Sequence, residues 1–519
     1  MKICFFDAIG WDYDIETPYR QPLGGSQSAL CYLAVALAAI GHEVWLYNNT
    51  SKPGVYRGVH CFSLTNLSTE LLKKIDAAIV LNHPETGTHL KPLLGEKTKL
   101  ILWMQHACNQ AAAQPLRSLS IQLLYDGIIF VSEWQKQLYL EQFNMTNMEL
   151  GVIKNAIAPA FEKKITEGEA IFSQKLQPPV LTYTSTPFRG LDLLLDIFPK
   201  IRQRFTDVRL KVFSSLKVYQ VTEDRDEWEP LYRRCAETAG VEYVGSLTQP
   251  ELARELRSIN ILAYPNTFAE TSCISVMEAL ASGCFVVTSN WAALPETTAG
   301  FARLISLSQS NTSNSLAPFS SISERESYAQ EFLAAILEVL EMLTRANPQE
   351  TEQLLRKQVD YFNKYCTWRV RALEWEEWLK TINKMSHKNS VESLYDRALA
   401  MQKQGEWEAA GREYRQIIAL QPNYAPAYFQ LGNAKLVKQE WPEAIALYRQ
   451  ALNCEQRYSQ AWYNLGAALE NMGEVEEAMA AYKQAVTYNP NYAIAYNSLG
   501  VLLAQQEKLL EAKVCHQKL

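Results

Sequence analysis

The 519-residue chain lacks a strong excess of charge of either sign, since its formal net charge is −6. Without a basic surplus, the composition gives no support to nucleic-acid binding. Long hydrophobic runs are also missing. The longest, residues 29–40, is too short to span a bilayer, so any membrane contact is expected to be peripheral. The N-terminal segment MKICFFDAIG lacks the layout of a signal peptide.

Cysteine patterns that bind zinc or form a disulfide framework are absent as well. The ten cysteines are scattered, with no CxxC pair and no Cys/His cluster at metal-ligand spacing. Scattered thiols of this kind are typical of a reducing compartment, so the sequence predicts a cytoplasmic protein without a bound metal. The length predicts two to four domains of ordinary globular composition, with 48% hydrophobic and 20% charged residues.

The first 165 residues open with the pattern of a Rossmann-like unit. A buried strand is predicted at 2–6, a helix at 28–39 that ends at Gly41, and a second strand at 43–47. The loop between them carries Gly24-Gly25 but no GxGxxG, so a dinucleotide site is poorly supported. These glycines bring backbone N–H groups close to a phosphate or a sugar, or they only form a tight turn.

Two histidines follow later strands of the same predicted sheet. Strands are predicted at 77–81, 100–103, 127–131 and 150–153, and His83 and His106 come after the first two. Ligands of open parallel sheets bind beyond the carboxyl ends of the strands, so either histidine is placed to contact a sugar hydroxyl. A structural role is the alternative for both.

A second set of α/β units follows from about residue 166. Strands are predicted at 180–183, 208–213, 241–244 and 259–264. Arg189, beside Gly190 in a strand-to-helix loop, is suited to hold a diphosphate, or it is a solvated surface arginine. Leu247 lies in the loop after another strand, where backbone groups can reach the edge of a nucleobase.

Two glutamates, Glu270 and Glu278, flank the predicted start of a helix. Ser272 and Cys273 precede the helix, which begins near Ile274, and a buried strand is predicted at 284–288. A helix N-terminus binds anions, and carboxylates bind hydroxyls, which suits a sugar joined to a nucleotide through a pyrophosphate. The alternative is an ordinary surface helix that carries two glutamates.

Taken in order, these motifs resemble the retaining glycosyltransferases of the GT-B fold, in the large family numbered four. The resemblance covers residues 1 to about 385 and rests on Gly24-Gly25, Asn155-Ala156-Ile157, Arg189-Gly190, Val244-Gly245, Glu270-x7-Glu278, Gly283 and Leu294-Pro295-Glu296. It implies two facing Rossmann-like domains, with the acceptor bound mainly by the first and the nucleotide-sugar by the second.

The resemblance also implies roles for individual residues. Glu278 would bind the ribose hydroxyls and Glu270 the donor sugar, while amides of residues 272–274 and Gly25 would hold the pyrophosphate. The family usually carries an arginine five residues before its second phosphate-binding cation. Here Thr184 takes the place of that arginine and Arg189 the place of the second cation, so helix dipoles or another basic residue must replace the missing charge. The segment between the glutamates, Thr-Ser-Cys-Ile-Ser, lacks the usual glycines.

The C-terminal quarter has a period of 34 residues and no strand pattern. The repeats at 425–458 and 459–492 carry Leu-Gly, Ala, Tyr and Ala at the same positions. A weaker repeat precedes them, and an incomplete one begins at residue 493. These repeats resemble the tetratricopeptide pattern and predict an all-α solenoid that binds a protein or peptide. A generic alanine-rich bundle would not explain the shared register.

The predicted organisation has an acceptor-side domain at 1–165 and a nucleotide-sugar domain at 166–362. A crossover helix and linker follow at 363–389, and repeats at 390–519. The predicted function is transfer of a sugar from a nucleoside-diphosphate sugar to an acceptor hydroxyl with retention, using Glu270, Arg189 and His106. No cofactor is expected. A nucleotide-sugar epimerase of the same fold and an inactive interaction platform are the alternatives.

Overall fold

The computed structural model describes residues 1–143, 145, 148–166, 168–307, 318–385, 391–506, 508, 509, 512 and 515. The chain forms two compact units, Met1–Asn383 and Lys384–Leu519. No helix in the described ranges is both long and apolar enough to cross a membrane. Residues 386–390 of the predicted linker lie outside the described residues, as does much of the predicted second helix of the last repeat.

The first sheet of the first unit has eight strands in the order β3-β4-β2-β1-β5-β6-β7-β8. They are β1 Lys2–Phe6, β2 Glu43–Asn48, β3 Gly54–Tyr56, β4 Val59–Ser63, β5 Ala77–Leu81, β6 Lys99–Met104, β7 Gly127–Phe130 and β8 Glu149–Val152. The described pairs are parallel except for β3 with β4. The order reverses between β1 and β5, and such a switch point opens a crevice beyond the strand ends.

The helices of this half cover both faces of the sheet. They are α1 Thr17–Arg20, α2 Gly25–Ala39, α3 Thr69–Leu72, α4 Thr86–Leu90, α5 Leu119–Gln122 and α6 Glu133–Phe143. Helix α2 is apolar on most of its surface and largely buried. It begins at Gly25 rather than at the predicted Ser28, so the glycine pair forms the helix start itself.

The second sheet has six strands in the order β11-β10-β9-β12-β13-β14, with every described pair parallel. They are β9 Val180–Tyr183, β10 Arg209–Val212, β11 Val241–Tyr243, β12 Ile261–Tyr264, β13 Phe285–Ser289 and β14 Arg303–Ile305. Its order reverses between β9 and β12. The loops after these two strands carry Arg189 and Glu270, so both side chains come to one switch point.

The helices of the second half end in one that returns to the first half. They are α7 Leu191–Arg204, α8 Glu229–Glu237, α9 Gln249–Ser258, α10 Ile274–Ala281, α11 Leu294–Thr298, α12 Ile322–Arg345, α13 Pro348–Tyr365 and α14 Trp368–Met385. On α14, Trp375 packs edge-on against Trp103 of β6, with ring centroids 5.4 Å apart.

The second unit is entirely helical in its described part. Its helices are α15 Val391–Lys403, α16 Trp407–Leu420, α17 Ala425–Val437, α18 Trp441–Cys454, α19 Ser459–Asn471, α20 Val475–Tyr488 and α21 Ala493–Gln505. Paired helices touch through small residues. A Cβ added to Gly432 would lie 2.6 Å from the ring of Tyr448, and one added to Gly466 would lie 2.7 Å from that of Tyr482. The glycines that recur every 34 residues therefore lie where paired helices pack closely against a tyrosine ring.

The structure departs from the sequence predictions in a few elements. The edge strands β3, β4 and β14 were not predicted, because they are short and only partly apolar. The crossover helix predicted within 363–389 is α14, but it begins at Trp368 rather than at residue 363. Helix α13 ends at Tyr365 and α14 begins at Trp368, and Cys366 between them donates its backbone N–H to Phe362 and accepts from Ile157.

Candidate active site

A cavity of about 620 Å³ lies where the two switch points of the first unit face each other. All residues that the sequence predicted for the site line it: Gly25, His106, Arg189, Leu247, Glu270, Ser272, Cys273, Ile274 and Glu278. The volume falls within the range of small-molecule sites. The topology of the two sheets thus brings together residues that are up to 253 positions apart in the sequence, Gly25 and Glu278.

Two helix N-termini meet in the cavity. Gly25 is the first residue of α2, and a Cβ added to it would lie 3.8 Å from Cδ1 of Ile274, the first residue of α10. Neither helix has a side-chain cap, since the preceding Gly24 and Cys273 accept no capping hydrogen bond. Backbone N–H groups in the first turn of a helix lack partners within the helix, so both ends favour an anion.

Glu270 lies at the centre of a buried ion pair. Its Oε1 accepts from Arg189 Nη1 at 2.6 Å and from the Tyr264 hydroxyl at 2.5 Å. The Glu270 side chain is 6% exposed and that of Arg189 20%. The guanidinium also lies over the Phe268 ring, 4.5 Å from its centroid. Burial disfavours the charged guanidinium, but Glu270 and the neighbouring Tyr219 and Tyr264 together raise the pKa of Arg189, so the arginine stays protonated.

Glu278 lies deeper in the wall, one turn along α10. It is 2% exposed, and its Oε1 accepts the backbone N–H of Ala158 at 3.3 Å. Burial raises the pKa of this carboxyl to about 8, so it is mostly protonated at neutral pH. Glu270, in contrast, is paired with Arg189, although both glutamates lie in one short segment.

His106 and His83 follow β6 and β5 on the first-half wall, as predicted from the strand pattern. Burial, with contributions from His83 and Arg189, lowers the pKa of His106 to about 4, so its ring is neutral. The His83 side chain is 34% exposed, and its Nδ1 lies 3.1 Å from the backbone oxygen of Leu81. Both histidines line the cavity.

Several buried polar atoms on the cavity wall have no partner among the described residues. They are Gln105 Nε2, His106 Nδ1, Asn155 Oδ1, Thr184 Oγ1, Thr186 Oγ1 and Arg189 Nε. Buried polar groups are normally hydrogen-bonded, so this cluster indicates a site for a polar ligand. Ligand binding was not predicted for Gln105, Thr184 or Thr186. Their position immediately after predicted strands was the available signal.

Hydrogen bonds join the two halves around the cavity. Thr271 Oγ1 donates to the backbone oxygen of Gln105 at 2.7 Å. Glu296, which precedes the last strand of the second sheet, accepts the backbone N–H groups of Glu133 and Trp134 at 3.0 and 2.7 Å. Its carboxylate thereby caps the start of α6 in the other half. These contacts hold the wall segments against each other.

Comparison with known proteins agrees with this architecture. Residues 178–317 match the family described as glycosyl transferases group 1. Residues 392–424, 436–473 and 459–492 match tetratricopeptide repeat families. The phosphatidyl-myo-inositol mannosyltransferase of Mycobacterium tuberculosis is 33% identical over 104 residues, which are 20% of this chain. The match spans 25% of that relative, so the chain matches about a quarter of its length.

Solved structures are similar over most of the first unit. Sucrose-phosphate synthase from Thermosynechococcus elongatus has a TM-score of 0.51 at 15% identity, covering 74% of this chain and 99% of that one. HepE from Anabaena, solved with UDP and glucose, has a TM-score of 0.50 at 13% identity, covering 73% and 100%. The chain thus has a GT-B-like α/β fold with a glycosyl transferases group 1 domain, followed by tetratricopeptide repeats.

Proposed function

We propose that the chain transfers a sugar from a nucleoside-diphosphate sugar to an acceptor hydroxyl, with retention at the anomeric carbon. The observation that carries this proposal is the pair of uncapped helix N-termini that meet between two buried glutamates. Uncapped helix starts favour a diphosphate, and flanking carboxyl groups favour hydroxyls. A nucleotide-sugar combines both chemistries in one ligand.

The donor then extends along the wall formed by the second half. Glu278 receives the ribose hydroxyls, and the loop that contains Leu247 contacts the nucleobase. The diphosphate lies against residues 272–274 at the N-terminus of α10, and against Gly25 of the facing helix. The sugar reaches Glu270 and His106, both of which line the cavity.

Departure of the diphosphate builds negative charge on its oxygens. The helix N-termini and Arg189 stabilise this charge without a bound cation. As the bond from the anomeric carbon to the phosphate oxygen breaks, a bond to the acceptor oxygen forms on the same face. The acceptor's proton passes to the departing phosphate oxygen. Glu270 is held by Arg189 and Tyr264 at one oxygen, which lowers its nucleophilicity and favours this path over a covalent intermediate.

The repeat unit adds a surface for a protein or peptide partner, as tetratricopeptide solenoids do. Its described helices follow one 34-residue register, which supports a regular solenoid. We propose that this partner is distinct from the donor, and that any membrane contact of the chain is peripheral.

The experiment is a thermal-shift panel of UDP-, GDP- and ADP-sugars, with GDP-mannose included because the relative from Mycobacterium tuberculosis is a mannosyltransferase. A ligand at 100 times its Kd stabilises the folded state by about 2.7 kcal/mol. With about 2.1 cal/mol/K of unfolding entropy per residue, that raises the Tm of the first unit by about 3 °C. Glu278→Gln should weaken the shift, whereas the control Glu408→Gln, on an exposed face of α16, should not.

The outcomes separate the alternatives. A shift followed by product formation only when acceptor is added supports transfer. Release of an altered sugar without an acceptor indicates an epimerase, and no shift with any nucleotide indicates an inactive platform.

A further inference from the structure

We propose that Asn82 is a positioning residue that fixes His106 as the neutral tautomer with its hydrogen on Nδ1. In this state His106 donates a hydrogen bond to an oxygen of the transferred sugar. The inference concerns a residue that directly follows β5, and its functional part rests on the proposed function above.

The orientation of the Asn82 amide follows from its backbone partner. Asn82 Oδ1 accepts the backbone N–H of Gln105 at 2.7 Å. Because a backbone N–H can only donate, the oxygen of the amide must face Gln105. The amide nitrogen, Nδ2, then lies 3.5 Å from Nε2 of His106.

The orientation of Asn82 decides the state of the imidazole. An amide nitrogen donates, so Nε2 of neutral His106 must accept this long hydrogen bond and the ring hydrogen belongs to Nδ1. Nδ1 is buried and has no partner among the described residues, and His106 lines the cavity. The imidazole therefore keeps one donor for a ligand oxygen.

The backbone at residue 82 suits asparagine. Its φ is 58°, in the left-handed region that asparagine adopts more readily than most side chains. Its own N–H donates to Trp103 on the neighbouring strand at 3.0 Å, and the residue is 1% exposed. The backbone of Asn82 and the oxygen of its side-chain amide are thus each held by a hydrogen bond before any ligand binds.

The surrounding charges agree with a neutral ring. His83, from the segment after β5, and Arg189, from the second half, both disfavour the imidazolium, and burial lowers the pKa of His106 to about 4. The hydroxyl of Tyr139 on α6 donates to the backbone oxygen of His106 at 2.9 Å, away from the ring nitrogens.

Asn82→Asp tests this arrangement with almost no change in shape. Its Oδ1 still accepts from Gln105, but its second oxygen can only accept, so Nε2 of His106 must take up a hydrogen. The ring then becomes the other tautomer or the imidazolium, and a carboxylate at this distance should raise the His106 pKa by at least one unit. The matched control is Asn290→Asp, an exposed asparagine directly after β13.

The direct readout is nitrogen NMR of the full chain labelled at its seven histidines. The His106 signals are assigned by their loss in His106→Gln. We expect an Nδ1–H tautomer that does not titrate between pH 5.5 and 9 in the wild type and the control, and a changed tautomer or charge in Asn82→Asp. In transfer assays, Asn82→Asp should lower kcat/KM by about tenfold, the effect of one neutral hydrogen bond. Binding of the nucleoside diphosphate without its sugar should change less than about twofold.

A hydrogen on Nε2 in the wild type would overturn the inference, and this spectrum decides the matter even if Asn82→Asp does not fold. An unchanged His106 tautomer in folded Asn82→Asp would overturn it too. If wild-type His106 carries its hydrogen on Nδ1 but kcat/KM of Asn82→Asp is unchanged, His106 does not donate to the transferred sugar, and the functional part of the inference fails. If the tautomer is as expected but no nucleotide-sugar binds, the proposed function fails while the positioning of His106 by Asn82 stands.

Discussion

Replacing Glu278 by glutamine should stabilise the first unit at alkaline pH. Burial raises the pKa of this carboxyl from 4.5 to about 8. In the unfolded chain the group ionises near 4.5, so between these values the folded state binds a proton that the unfolded state has released. Stability therefore falls as pH rises from about 4.5 to 8, and the full penalty is present above the folded pKa.

The size of this effect follows from the two pKa values. Each pKa unit of difference between the folded and unfolded states corresponds to about 1.36 kcal/mol, so ionising buried Glu278 costs up to about 5 kcal/mol. For the compact unit of residues Met1–Asn383, about 2.1 cal/mol/K per residue gives an unfolding entropy of about 0.8 kcal/mol/K. Glu278→Gln, which is neutral at every pH and keeps an oxygen for the Ala158 N–H, should thus raise the Tm by up to about 6 °C at pH 9.

The assay is scanning calorimetry of wild type and Glu278→Gln from pH 5 to 9. The difference in Tm should be only about 1 °C at pH 5, just above the pKa of the unfolded carboxyl, and should grow to about 6 °C as pH rises to 9. Glu296→Gln is the matched control, and we expect the opposite sign, because its carboxylate caps α6 through two backbone N–H groups. A Tm difference for Glu278→Gln that stays constant across the whole range would refute the reasoning.

Three further changes test other contacts. Glu270→Gln should tighten binding of a free nucleoside diphosphate several-fold in titration calorimetry, because the Arg189 charge is no longer neutralised, while transfer is lost; weaker diphosphate binding would contradict this. Glu296→Ala should lower the free energy of unfolding by about 1 kcal/mol in urea titrations, as loss of a helix cap does, and an unchanged midpoint would argue against the cap. Gly466→Ala should destabilise the repeat unit by about 1–3 kcal/mol through overpacking on a tyrosine ring. Gly411→Ala is the control, because its added Cβ would have its nearest neighbour at 3.7 Å, an ordinary van der Waals distance, and it should not lower the Tm of the repeat unit in thermal circular dichroism. An equal fall in Tm for both variants would contradict the packing argument.

The central strands and the glutamate pair were predictable because their signals are local. Strand β5 matches its prediction residue for residue, since it is buried on both faces and reads as an unbroken apolar run. Glu270 and Glu278 lie in one segment whose helix and strand also follow from periodicity. The hairpin of β3 and β4 was missed although Arg57-Gly58 marks its turn, with φ of 50° and 83°.

Contacts between distant segments could not be predicted from periodicity. Arg189 was predicted to face the ligand, but its ion pair with Glu270 could not be predicted. The pair joins residues 81 positions apart, and it forms because β9 and β12 are neighbours in the sheet. The capping of α6 by Glu296 spans 163 residues. The first pair depends on the strand order within the second sheet and the second on how the two sheets face each other, and a pattern within one segment carries no information about either.

The charges in the cavity explain how the chain tolerates Thr184 in place of the arginine implied by the resemblance. Among the described lining residues Arg189 is the only lysine or arginine, and its pair with Glu270 has no net charge. Glu278 is mostly protonated near neutral pH, so it adds little negative charge that a second cation would have to offset. Two helix N-termini then supply about half a positive charge each, with hydroxyls of Thr184 and Thr186 left to donate. Keeping one glutamate protonated and the other paired therefore lets helix ends and hydroxyls replace a missing arginine at the proposed diphosphate site.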